Sequence, residues 1–241
     1  GQITLVLVVA IVILAAGSLI LYSVNTKDNN VKNEAPVKGS EALVPDSAKN
    51  IDKFTEDCIT ETTLDGLYSL SYTGWNPDPD ISSDNPQGVR PHIIDGEIEE
   101  IDKKTLLEDY INNNLKFCLE DYEAFKGTEV TYNSPKSEVI LGEQVLVSVN
   151  MKVNYNNKEI NYFEVKVDFD FKEKERVISQ VLDLLKGTET VDITGIVKIA
   201  LQNDVSYERV VNENENFYSF NFHETHKFRP YLYNFKVVYN D

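Results

Sequence analysis

Apolar and polar positions change rhythm three times along the chain. From Ile3 to Tyr22 the sequence is almost unbroken in its hydrophobicity, and no charged side chain occurs before Lys27. As a helix this stretch would be about 30 Å long, the hydrocarbon thickness of a bilayer. A helix apolar on every side must be surrounded by lipid or by other helices. Residues 23–45 then lose all periodicity and are rich in Asn, Lys, Glu, Ser, Gly and Pro, which reads as a polar linker.

From residue 46 the spacing becomes helical. A helix is expected over 46–71, capped at Asp46 or Ser47 after Pro45, with Ile51, Phe54, Cys58 and Ile59 on one face. A second is expected over 103–126, with Leu107, Ile111, Leu115, Cys118, Tyr122 and Phe125 in register and Gly127 as its stop. Between them, residues 74–100 read as a long loop rich in Pro, Asp and Gly. Beyond Thr128 the period falls to two. Strands are expected near 128–133, 137–141, 144–155 and 159–171 as an antiparallel meander. A helical stretch over 173–202 breaks near Gly187 and restarts at Asp192 or Thr194, and strands near 205–211, 216–223 and 231–239 follow. The pattern predicts three parts: a hydrophobic helix over 1–22, a linker over 23–45, and an α+β head over 46–241 with Cys-bearing helices and antiparallel β-sheet.

Charge sharpens this division. The 241 residues hold 23 Lys and Arg against 40 Asp and Glu, a net charge of −17. In residues 1–45 three lysines (Lys27, Lys32, Lys38) balance three acids (Asp28, Glu34, Glu41), so the head carries the whole excess. Such a surface repels nucleic acid and anionic lipid, and no nucleic-acid partner is expected.

The two cysteines, Cys58 and Cys118, each fall on the apolar face of an expected helix. They are either one helix-to-helix disulfide or two buried free thiols. A disulfide closing a loop of this size contributes about 4 kcal/mol in the chain-entropy model. A head carried across a membrane reaches an oxidising space, which favours the disulfide.

Few residues form a pattern that carries chemistry. Asp78, Asp80 and Asp84, with Asn76 and Asn85, make an oxygen-rich loop able to offer ligands to calcium. Pro77 and Pro79 interrupt them and no Glu closes the ring, so the competing reading is a solvated acidic loop. His223-Glu224-Thr225-His226 has the HxxH spacing but lacks the further ligands of a zinc site. There is no phosphate-binding glycine loop and no G-x-S-x-G elbow, so neither an enzyme nor a cofactor is expected. Phe217, Tyr218, Phe220, Phe222, Tyr231, Tyr233, Phe235 and Tyr239 crowd the last strands, as core or as a surface for a neighbouring head.

The sequence opens at Gly1 with no Met and no basic leader, from which we expect that a precursor segment was removed while the apolar stretch was kept. Ala10, Ala15, Ala16, Gly17 and Ser18 are small enough for neighbouring helices to approach closely. Gly1-Gln2-Ile3-Thr4-Leu5, followed by the apolar run, resembles the N-terminus of archaeal type IV pilin-like proteins with class III signal peptides. Val6 stands where many members of that family carry Glu, and Gly1 precedes the Gln that often comes first. The resemblance implies processing by a membrane peptidase, storage of the subunit in the membrane, and assembly into an extracellular surface filament. In that homo-oligomer the helices pack inward through Ile3, Leu7, Ala10, Leu14, Gly17 and Leu21, and the heads face outward for adhesion or cell-cell contact. The alternative is a singly membrane-anchored surface receptor or binding module that does not polymerise.

Overall fold

The computed structural model describes residues 51–81, 87–120, 125, 129–187, 191–211 and 215–238. All belong to one compact unit, Val44–Asp241. The apolar segment at 3–22 with Ile3, Leu7, Ala10, Leu14, Gly17 and Leu21, the linker at 23–45, and the caps at Asp46 and Ser47 lie outside the described residues.

Helix α1 (Ile51–Tyr72) is the axis of the head. It packs on a second helix and on strands of both sheets, so residues on several of its sides are buried. Polar residues enter this dry setting because their hydroxyls satisfy themselves locally. Thr55 donates to Ile51 O and Thr63 to Ile59 O, each at 2.7 Å. Helix α2 (Lys103–Leu119) is capped by Asp102, whose carboxylate accepts from Thr105 N, and it buries Leu107, Ile111, Leu115 and Leu119. Where α1 and α2 meet, Gly66 leaves no room for a side chain: a Cβ there would lie 2.7 Å from Tyr110 Cδ1 and 2.8 Å from Leu107 Cδ1.

The helix expected to run to residue 126 stops at Leu119, with Glu120 as its C-cap. Tyr122 and Gly127 lie outside the described residues. Phe125 sits in a bend, and its ring still packs edge-on against Phe54 at 5.4 Å. An apolar residue can keep its helical spacing and its core contact while its backbone has left the helix.

One sheet has five strands in the order β2-β1-β9-β8-β7, from β1 (Pro91–Ile94), β2 (Glu97–Ile98), β7 (Ser206–Val211), β8 (Glu215–His226) and β9 (Arg229–Val238). It is mixed rather than antiparallel throughout, because β1 runs parallel to β9 with Pro91 beside Lys236 and Ile94 beside Val238. Strands β1 and β2 fall inside the stretch expected to be a loop at 74–100. The other sheet centres on β5 (Val145–Tyr155). β6 (Lys158–Val167) lies along one edge, and β4 (Lys136–Ile140) and β3 (Val130–Tyr132) share the other. Asn133-Ser134-Pro135 separates those two, since proline cannot donate to the ladder.

Helix α3 (Phe171–Leu185) starts where a strand was expected to end, its first turn capped by Asp170. Helix α4 (Ile193–Gln202) is capped by Asp192 rather than Thr194. The outcome is an α+β fold of helices with two sheets. Of the aromatics in its last strands, Tyr218, Phe220, Tyr231, Tyr233 and Phe235 are buried, Phe217 and Phe222 are half-buried, and Tyr239 lies outside the described residues.

Candidate functional site

Cys58 of α1 and Cys118 of α2 form a disulfide, with their Cα atoms 5.6 Å apart, and Cys58 is buried in the core. The helical spacing of the two sulfurs brought them to the same seam.

The oxygen-rich loop is organised by its own hydrogen bonds. The Asn76 amide donates to Gly88 O at 2.9 Å, and its oxygen accepts from Asp78 N at 3.3 Å. Asp78 and Asp80 are exposed, while Asp84 and Asn85 lie outside the described residues. The two histidines of the HxxH stretch belong to β8 and have separate surroundings. His223 is exposed at a bulge, with a left-handed φ of 59° and its N–H bonded to Asn221 Oδ1. His226 turns to α1, its Nε2 3.5 Å from both Glu61 and Asp65. Among the described residues, no three His, Cys, Asp or Glu side chains converge in a way that could hold a metal.

Deeper in the head, a polar cluster joins β1, α2, α3 and β9. Lys103 pairs with Glu175, and its ammonium lies 5.3 Å from the ring centre of Tyr233. His92 is buried beside them, with Nδ1–H donating to Arg90 O at 3.2 Å and Nε2 3.4 Å from the Tyr233 hydroxyl. Burial, then the nearby Lys103 charge, lowers the His92 pKa to about 3, so the ring is neutral. Burial first, and the Glu175 carboxylate second, raises the Tyr231 and Tyr233 hydroxyls well above their ordinary value. The cluster ties β1, α2, α3 and β9 together, although Glu175 Oε1 and the Tyr231 hydroxyl are buried without a hydrogen-bond partner among the described residues.

One site open to solvent is the corner where the β8–β9 hairpin meets the end of α1. Lys174 of α3 anchors it. Its side chain is only 3% exposed, and its Nζ lies 4.3, 5.6 and 5.9 Å from the ring centres of Phe169, Tyr231 and Phe222. The ammonium pairs with Glu224 at 2.7 Å and donates to Asp170 O at 3.2 Å. Rings that present their negative faces to a cation, with one carboxylate, hold a charge that the core could not otherwise accept. Beside it Tyr68 is pushed up to about 12 by burial, with the Glu224 charge adding.

The hairpin turns through Lys227 and Phe228, both left-handed at φ 48° and 65°. Asn-Gly or Asp-Gly usually fills such a turn, and for other residues the left-handed conformation costs roughly 1–2 kcal/mol each. Lys227 reaches back to Glu61 and Asp65, each at 2.9 Å. Phe228 stands 103% exposed. Next to it a groove of about 380 Å³ runs between α1 and β9, walled by Tyr68, Tyr72, Thr73, Arg229, Pro230 and Leu232. Aromatic and aliphatic side chains wall the groove, with the exposed Arg229 at its rim.

No family model, no curated protein and no solved structure matches the chain. The corner was missed in the sequence because β8 was expected to end at residue 223. The available signal was the alternation that resumes on both sides of Lys227-Phe228, which marks a two-residue hairpin.

Proposed function

We propose that the chain is a structural subunit of an extracellular surface filament, similar to archaeal type IV pilins, serving adhesion or cell-cell contact. The observation that carries this reading is the charge-free apolar segment at 3–22 directly after Gly1-Gln2, in the family's order. The Cys58–Cys118 disulfide supports it, because structural disulfides persist in oxidising, extracytoplasmic spaces. The subunit waits in the membrane by its apolar helix. It then exchanges lipid for the equally apolar helices of its copies, with Ile3, Leu7, Ala10, Leu14, Gly17 and Leu21 in the bundle and the acidic head outside. Close packing of small residues drives that exchange, since moving from lipid to helices gives no fresh hydrophobic gain. The work of the subunit is packing, and it catalyses no reaction.

Electron microscopy of material sheared from expressing cells, with mass spectrometry of the chain it contains, tests the proposal. Filaments made of this chain are expected. Recovery of the chain only as a detergent-extracted monomer would replace the proposal with a singly anchored binding module, a reading favoured by the polar composition of residues 23–45. Gly17→Leu separates the two, since it should weaken polymerisation and leave surface display of an anchored protein intact.

A further inference from the structure

We propose that the groove between α1 and β9 binds the C-terminal end of a peptide, with the terminal carboxylate on Arg229 and the last apolar side chains between the two walls. Four side chains make those walls apolar. Tyr68 and Tyr72 are one helical turn apart on α1, and Pro230 and Leu232 alternate onto one side of β9. At about 380 Å³ the groove falls within the range of sites that hold small organic groups, and such sites likewise combine apolar walls with a few polar side chains.

The polar groups decide the chemistry of the occupant. Arg229 is exposed and has no ion pair among the described residues, and the side-chain hydroxyls of Ser69 and Tyr72 have no hydrogen-bond partner among them. All three donate, the guanidinium is the one charge in the lining, and no acid lines the groove. A cationic occupant would meet a like charge, whereas a carboxylate accepts two guanidinium N–H groups side by side. A free apolar acid would use Arg229 and the walls and leave the hydroxyls to water. A peptide end brings a carboxylate, carbonyl oxygens for Ser69 and Tyr72, and apolar side chains for the walls, so it uses every group that the groove presents. The acidity of the head does not prevent this. Glu61 and Asp65 are held by Lys227 at 2.9 Å, and Glu224 by Lys174 at 2.7 Å. More distant acids are screened, since physiological salt shortens the reach of an exposed charge to about 8 Å. The groove belongs to the head alone, so the site does not depend on the chain forming a filament.

Calorimetric titration of the full, detergent-solubilised chain tests this with three probes: acetyl-Gly-Gly-Leu-Phe as the free acid, the same peptide as its C-terminal amide, and hydrocinnamate. The expected result is saturable binding of one free-acid peptide per chain, with the amide roughly tenfold weaker because its ion pair to Arg229 is gone. Hydrocinnamate, which lacks the peptide carbonyls and the second apolar side chain, should bind more weakly than the free-acid peptide. Arg229→Gln should bring the free acid down to the affinity of the amide and leave the amide unchanged, a pattern that a merely structural role of Arg229 would not give. Tyr72→Ala, which shortens a side chain 42% exposed, should weaken both peptides. Comparing acid with amide on the unaltered chain needs no variant, so a variant that fails to fold does not shield the inference. Absence of saturable binding by the free acid, or equal binding of acid and amide, would overturn it. Hydrocinnamate binding as tightly as the free-acid peptide would also overturn it, in favour of a free apolar acid. Free-acid binding unchanged by Arg229→Gln would place the peptide elsewhere and overturn it as well.

Discussion

Lys174 shows how much one buried charge depends on its neighbours. Removing Glu224 would leave the ammonium among Phe169, Tyr231 and Phe222 without its carboxylate. A fully buried pair broken in this way loses about 3–5 kcal/mol. Glu224 is 47% exposed and water can take its place, so Glu224→Ala should cost nearer 1–2 kcal/mol in chemical denaturation. Lys174→Met, which keeps the volume and removes the charge, is expected to lose less than that. His92 gives the head an acid-sensitive point. Its folded pKa, near 3, lies below the ordinary value of 6.5, so the unfolded chain binds the extra proton. Stability is therefore full above about pH 6.5 and falls by up to about 1.4 kcal/mol per pH unit on the way down towards 3. His92→Gln should flatten urea midpoints measured between pH 6.5 and 4, while the wild-type midpoints fall. Neither residue was legible in the sequence. Lys174 sits in Lys172-Glu173-Lys174-Glu175-Arg176, a charge run that reads as a solvated face, and the structure turns two of its members inward. The cysteines were legible because their spacing from Ile111, Leu115 and Ile51 put them on apolar faces.

Among the elements, α1 carries the most. Replacing both cysteines by alanine should lower stability by up to about 4 kcal/mol, the chain-entropy value for residues 60 apart in sequence, and thermal melts of the oxidised and doubly substituted chains would show it. Gly66 gives a contrasting expectation. An alanine in a helix interior ordinarily gains roughly 0.5–1 kcal/mol over glycine. Here its methyl meets Tyr110 and Leu107 at under 3 Å, so Gly66→Ala is expected to reverse the sign and lose about 1–2 kcal/mol, read as a lower denaturant midpoint. Elements with a sustained period were readable to within a few residues, as β5 and α3 show. Strands β1 and β2 were not, being too short to display a period. Asp95-Gly96, both left-handed between Ile94 and Glu97, was the local clue to that hairpin.

At the scale of the molecule, charge dominates association. Heads of this acidity stacked in a filament would repel through water, and screening shortens that repulsion to about 10 Å at 0.1 M salt. If the filament proposal holds, sheared filaments should shorten when dialysed to low ionic strength and persist at physiological salt, as scored by length in negative stain. Length unaffected by salt would mean that head repulsion is irrelevant to the polymer. The α+β class followed from the change of rhythm along the chain. The mixed character of the five-stranded sheet did not, because pairing Pro91 with Lys236 is a long-range choice that leaves no trace in local spacing.

That pairing also sets a timetable. Strand β9 sits between β1 and β8, so the five-stranded sheet has no middle until residues 229–238 arrive. Until then His92 lacks the Tyr233 and Phe235 rings against which it packs, and α1 lacks one of its walls. A growing chain that has made β1 must wait for distant residues before that strand has its parallel neighbour. If the filament proposal holds and the head is threaded through a membrane pore, such delay is useful: the five-stranded sheet cannot close before its last strand has crossed.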